Sequence, residues 1–302
     1  MAFAAFVAVS CADSSIDAPA RPDSDAVAFN ASTLGSTRAT LTTANISAFT
    51  VYAIRDDESM YMDRVSVKRD DSNGTTAWTY DPLVYWPNNG FLNFYAIATR
   101  GASDTEGTGF GMYDETNKEA LIQHRSVDKN GTNLVKGVKD ITYAVNMNET
   151  KKSSAVQMFF RHAGAQIVFQ FAHRNPKYED IQVYVEDIYV VNLITSASYT
   201  LPRETTTKDS DSARGEWDLN GMVDIVNNAG YDVVNAYDVD IVPQEVPYNT
   251  ESVITYDKVM QKGTYTTSKG DVREDDGHLN IIPQTVLHWD ETHEASKTHM
   301  YI

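Results

Sequence analysis

Apolar residues along this chain recur at every second position, and no helical period persists over the roughly 10–12 residues that a helix needs. Period two belongs to strands, whose successive side chains point to opposite faces of a sheet. In "ISAFTVYAI" (46–54) the alternation puts Ile46, Ala48, Thr50 and Tyr52 on one face. Phe49, Val51 and Ala53 take the other. "MYMDRVSVKR" (60–69) alternates in the same way and ends at the turn signal "SNGT". "TAWTYDPLVYWP" and "FLNFYAIATR" flank Asn88-Asn89-Gly90, which predicts a hairpin between them. "NKEALIQHR" (117–125) is short and polar enough to make a helical turn.

Further strand signals follow in "DITYAVNMN", "AVQMFFRHAGAQIVFQFAHR" and "IQVYVEDIYVVNL". The second is too long for one strand, and Gly164 marks a bend or bulge within it. Its Phe160, Ile167 and Phe169 are core candidates. The stretch 202–215, "PRETTTKDSDSARG", is charged and turn-rich and reads as a linker or long loop. Beyond it "GEWDL", "YDVVNAYDVDIVP", "SVITYDKVM" and "HLNIIPQTVLHW" are strand-like again. Short strands with frequent turns predict an all-β chain. The expected domains run over 27–201 and 216–302.

The chain carries 42 acidic against 25 basic residues, a net charge of −17, which opposes binding to nucleic acid or to an anionic membrane surface. At 42% hydrophobic residues it has enough apolar material to bury a core. Residues 12–26 begin small, acidic and proline-bearing, and read as a tether before the first strand signal, "AVAFNAS".

The one cysteine, Cys11, follows an unbroken apolar run from Ala2 to Val9 and then Ser10. One cysteine cannot form a disulfide within the chain or a thiolate-rich zinc site. An apolar run ending in small residues is the core of a secretory signal. Ala8-Val9-Ser10-Cys11 resembles a bacterial lipobox, with alanine where leucine is usual, so Cys11 is the expected lipidation site. The other reading is an apolar terminus with an incidental cysteine. The run is far shorter than the roughly 20 residues that span a bilayer, so contact with a membrane is expected only through the lipid. Met1 leads into the run without basic residues, and the expectation is a start further upstream or a cut there.

No residue pattern defines a catalytic or cofactor site. His288, His293 and His299 are five and six residues apart, not four as on a zinc-binding helix. His162 lies inside the apolar "FFRHAGAQIVF" and reads as a strand-pairing residue rather than a general base. The acidic clusters 56–58, 70–71 and 274–276 lack the ligand spacing of a calcium loop. No G-x-S-x-G elbow occurs. The chain is read as neither an enzyme nor a metal or cofactor protein.

Three stretches together resemble the fimbrillin family of Bacteroidales, specifically its Mfa-like lipoproteins. They are Tyr80 with Tyr85-Trp86-Pro87 and Phe94-Tyr95-Ala96; Tyr143-Ala144 with Phe160, Arg161-His162-Ala163 and Gln166-Ile167; and Ile282-Pro283-Gln284-Thr285 with Trp289. The resemblance implies two tandem transthyretin-like (Greek-key) β-sandwiches in a subunit or accessory component of type V fimbriae, at the outer-membrane surface. It implies a precursor cut by an arginine-specific protease, with other fimbrial subunits as partners through donor-strand exchange. Arg38 in "GSTRATLTT" matches the cut site; its other reading is a solvated loop arginine. Family members continue past the proline–glutamine–threonine segment, so the second sandwich is expected to be incomplete at "THMYI". A second function stays open: a surface-anchored lipoprotein that binds glycan or protein and never polymerises. Sugar stacking needs exposed rings, whereas Trp78 and Trp86 sit in apolar alternation that favours a core.

Overall fold

The computed structural model describes residues 25–34, 43, 46–72, 74–99, 110–114, 116–125, 134–136, 141–167, 169–171, 173, 176–185, 188–190, 196–208, 213–219, 236–239, 244–246, 248, 254–255, 264–266, 272–274 and 279–284. Among them every regular element is a strand except one 3-10 turn, Pro176–Tyr178. The all-β class read from the alternation is the observed one.

The first ten strands are β1 (Phe29–Thr33), β2 (Ala48–Arg55), β3 (Met60–Asp70), β4 (Ala77–Thr79), β5 (Leu92–Thr99), β6 (Phe110–Asp114), β7 (Glu119–Arg125), β8 (Leu134–Lys136), β9 (Ile141–Glu149) and β10 (Val156–His162). Seven of them form one sheet in the order β1-β10-β9-β5-β2-β3-β4. Its ladders are antiparallel except the one between β1 and β10, which is parallel. β2 and β3 join through a tight turn in which Arg55 N–H donates to Ser59 O and Ser59 N–H to Asp57 Oδ1. Opposite Tyr52, β3 bulges at Asp63 and Arg64, and Arg64 takes a left-handed φ of 49°.

The two faces of β2 bury different things, as the alternation requires. Phe49, Val51 and Ala53 enter an inner core with Phe29, Met62, Val67, Trp78, Tyr80, Trp86, Leu92, Phe94, Met158 and Phe160. Tyr52 and Ile54 enter an outer core with Tyr95, Ile97, Tyr143 and Val145. Ile46 lies before β2 begins and joins the inner core, not the Tyr52 face expected of it. Trp78 and Trp86 are buried.

β10 makes the corner that closes the inner core. Its first five residues pair with β1, and only Arg161 and His162 pair with β9. The edge of β9 that β10 leaves is taken by Thr205 and Thr206. Val145 N–H donates to Thr206 Oγ1 at 3.0 Å, Thr206 N–H donates to Val145 O at 2.8 Å, and Met147 N–H donates to Thr205 Oγ1 at 2.9 Å.

The remaining strands are β11 (Ala165–Ile167), β12 (Gln170–Phe171), β13 (Tyr184–Val185), β14 (Ile188–Val190), β15 (Ser196–Thr200), β16 (Glu216–Asp218), β17 (Ala236–Val239), β18 (Gln244–Glu245), β19 (Ile254–Thr255), β20 (Thr264–Thr266), β21 (Val272–Glu274) and β22 (Leu279–Ile281). A four-stranded sheet, β16-β15-β7-β6, contributes Ala120, Ile122, Ala197 and Tyr199 to the outer core. β11 pairs with β22, β12 with β19, β13 with β18 and β14 with β17, so these ladders all cross the 202–215 stretch. Ile281 and Ile282 accordingly sit in the outer core with Tyr143 and Tyr199.

Two local expectations are corrected. Residues 88–90 do not close a hairpin, because β4 pairs with β3 whereas β5 pairs with β2 and β9. They turn the chain from the sheet's edge to its centre, with Gly90 at φ 84° beside the Asp56 carboxylate, where a Cβ would lie 2.4 Å from Asp56 Oδ2. "NKEALIQHR" begins in a turn at 117–118 and then forms β7. So short a helix is marginal alone, and here β6 and β15 offer ladders on both edges. Gly164 stands between β10 and β11, at the break expected of it. Phe160 and Phe169 are buried and Ile167 is half-buried.

Candidate assembly site at the first strand

β1 combines a buried face with a single ladder partner. Val27, Phe29 and Ala31 alternate along the extended chain, and their exposures are 0%, 1% and 7%. The ladder to β10 runs in register from Phe29 opposite Val156 to Thr33 opposite Phe160. Parallel pairing is slightly weaker per residue than antiparallel.

Phe29 fills an aromatic cage. Its ring lies edge-on to Phe94 at 5.6 Å and to Phe49 at 6.1 Å, with Tyr80 tilted against it at 5.7 Å. Behind that shell Phe49 meets Trp78 at 5.0 Å and Phe160 at 5.2 Å. Edge-to-face geometry sets ring hydrogens against a neighbour's π face, which favours this arrangement over stacked faces. The Tyr80 hydroxyl donates to Val27 O at 2.6 Å. Residues 25–27 also pair with 84–86: Val27 N–H donates to Val84 O, Trp86 N–H donates to Asp25 O, and Ala26 bridges Tyr85. Lys151 Nζ lies 2.9 Å from Asp25 Oδ1. Trp86 Nε1, buried beside Phe94, has no acceptor among the described residues.

Cys11 and Arg38, the two expected processing residues, lie outside the described residues. So do His288, His293 and His299. Leu34 and Thr43 are the described residues that bracket Arg38. His162 ends β10 opposite Thr142 in the ladder. Among the described residues no group of three His, Cys, Asp or Glu side chains could hold a metal ion.

Sequence reasoning placed Val27 and Phe29 on one face of a strand. It missed the parallel register with β10, the Tyr80 clamp and the part played by Thr43. A tyrosine within an apolar alternation is the only trace of the clamp in the sequence, and an isolated threonine gives no signal.

A comparison with known families matches residues 37–300 to the fimbrillin-like family. The chain belongs to that family. No curated protein matches the sequence significantly. Among solved structures, a similar chain is a "putative cell adhesion protein" from Bacteroides uniformis. It is 13% identical, with 83% of this chain and 85% of that chain covered and a TM-score of 0.37.

Proposed function

We propose that this fimbrillin-like chain is a structural and adhesive subunit, or accessory component, of a cell-surface fimbria. It is exported as an outer-membrane lipoprotein acylated at Cys11, and it is assembled after a cut at Arg38. In this reading β1 is a resident plug. The cut releases it, and an extended strand of a neighbouring subunit takes its place on β10, with ladder bonds giving strength and alternate side chains giving register.

The observation that carries the reading is the burial of Val27, Phe29 and Ala31 by a strand that one parallel ladder holds in the sheet. Removing β1 would bare apolar surface and a row of unpaired backbone groups on β10, an unstable edge that a donor strand relieves. The domain reading is proposed with it: two transthyretin-like sandwiches, the second incomplete, with residues 202–215 between them in sequence. The chain is proposed to work without catalysis or cofactor.

Limited trypsin digestion of the full chain tests the assembly step. It should cut early after Arg38, release a fragment carrying β1 and give ladder-forming oligomers. Arg38→Ala should remain monomeric under the same treatment. Oligomers forming equally well from the uncut variant would overturn strand exchange and leave the non-polymerising surface lipoprotein as the account. The anchor is tested separately, by metabolic labelling with a fatty-acid analogue in a Gram-negative host. The wild-type precursor should be labelled and Cys11→Ser should not; equal labelling of the two refutes it.

A further inference from the structure

Successive residues of a strand turn their backbone groups to opposite edges, so only half of β1 can serve its ladder with β10. Ala28 O accepts from Val156 N–H, and Leu34 N–H donates to Phe160 O, each at 2.7 Å. Even-numbered residues therefore face β10, and Phe29, Ala31 and Thr33 face outward. Near Val27 the outward groups meet Val84 and Tyr80. Further along, side chains take over. Ala31 N–H donates to Asn30 Oδ1 at 3.0 Å, and Thr33 N–H donates to Thr43 Oγ1 at 2.8 Å. The two threonine hydroxyls also bond each other at 2.9 Å.

Thr43 is itself held in place. Its carbonyl accepts from Arg69 Nη1 at 2.9 Å, while Arg69 Nε bonds the Asp71 carboxylate at 2.9 Å. Arg69 Nη2 reaches Thr76 Oγ1 at 3.3 Å, and Thr76 Oγ1 donates to Asp71 Oδ1 at 2.8 Å. Arg69 N–H is fixed by Ser47 O at 2.9 Å. A guanidinium tied at three of its corners is a rigid support for the carbonyl it holds.

We propose that Asn30 and Thr43 are edge caps that stop a second copy of this chain from pairing with β1, and that Arg69 is the positioning residue that sets Thr43. A row of open N–H groups on an edge strand is a template for another strand. This row is centred on Ala31, so it is complementary to itself about a two-fold axis. Ala31 would face Ala31 of the second copy, and Phe29 would face Thr33. With the Ala31 and Thr33 amides taken by side-chain oxygens, the intact chain withholds two of the three outward donors that this pairing would use. The device acts in the uncut chain and does not depend on processing at Arg38.

The test measures amide hydrogen exchange by NMR at Ala31 and Thr33 of the full chain, with Val51 in central β2 as internal reference. Sedimentation velocity across a concentration series accompanies it. In Asn30→Ala/Thr43→Val, exchange at Ala31 and Thr33 should rise roughly tenfold with Val51 unchanged, and a dimer should form at high concentration. In Asn30→Asp/Thr43→Ser, which keeps both acceptors, exchange and monomer should match wild type. Arg69→Leu should accelerate Thr33 and leave Ala31 alone. If Val51 also accelerates in the first variant, the single variant Asn30→Ala is read at Ala31. Unchanged exchange at Ala31 and Thr33, a variant that stays monomeric, or dimers from the conservative pair would each overturn the proposal.

Discussion

Thr206 carries more of this fold than its charged, turn-rich surroundings in the sequence suggest. Its side chain is buried, and its hydroxyl accepts Val145 N–H at 3.0 Å and donates to Val145 O at 3.1 Å. Valine at 206 keeps the shape and removes both bonds, leaving a buried amide without its acceptor. Thr206→Val should therefore cost about 1–3 kcal/mol in urea unfolding, whereas Thr206→Ser should recover most of the loss. A valine variant as stable as wild type would mean that the Thr206 hydroxyl is not needed at the edge that β10 leaves. A little further on, at Ala213 and Gly215, the chain is pinned again. Tyr143 donates to Ala213 O at 3.0 Å, and Gly215 N–H donates to the Tyr199 hydroxyl at 2.9 Å. A Cβ at Gly215 would lie 2.1 Å from Thr200 O and 2.7 Å from the Tyr199 ring, which explains why the position is glycine. Burial, then the hydrogen bond with Tyr143, pushes the Tyr199 phenol well above its ordinary range, and burial pushes Tyr52 up to about 12. Both stay protonated at neutral pH.

At the scale of elements, what the sequence made readable was each strand's existence and its faces. Phe49, Val51 and Ala53 separate from Tyr52 and Ile54 because the two faces of β2 meet different cores, and alternation records burial directly. The same logic placed Val27 and Phe29 together and Trp78 and Trp86 inside. Pairing was not readable, because a strand's pattern says which side is buried and not which strand lies beside it. The turn at 88–90 shows the gap: its residues signal a reversal, yet β4 and β5 choose other partners. Strand partners defeated the helical reading of β7 as well, since its ladders come from β6 beside it in sequence and from β15 more than 70 residues away. The parallel seat of β1 on β10 is a pairing across more than 120 residues, and no local signal encodes its direction. β1 was therefore legible as a hydrophobic strand, but the groups on its outer edge were not. Asn30, Thr43 and Arg69 are ordinary polar residues until the fold brings them to one edge.

Across the whole molecule the excess of acid sets two opposed responses to pH. With a net charge of −17 at pH 7, self-repulsion works against the compact state, and it weakens as carboxylates begin to take up protons. Against that stand carboxylates whose folded environment favours the charged form. Asp57 accepts from Ser59, Asp70 from Ser72, Asp71 from Thr76 and then Arg69, and Asp114 from the Asn117 and Thr116 amides; each is held below the ordinary 3.8. A carboxyl with a lower pKa folded than unfolded contributes stability that is complete above the unfolded value. That stability is lost as pH falls through the folded one. The contribution of these four is therefore intact down to about pH 4 and disappears below it. Asp57 and Asp71 are solvent-exposed and Asp70 and Asp114 only half-buried, so each effect is small and only their common direction matters. The urea midpoint should hold or rise from pH 7 to about 4.5 as repulsion eases, and then fall below about pH 3.8. Added salt separates the two causes, because screening should raise the midpoint at pH 7 and do little at pH 4.5, where less net charge remains. A midpoint that falls steadily from pH 7 downward, with no response to salt at pH 7, would show that self-repulsion does not limit this fold.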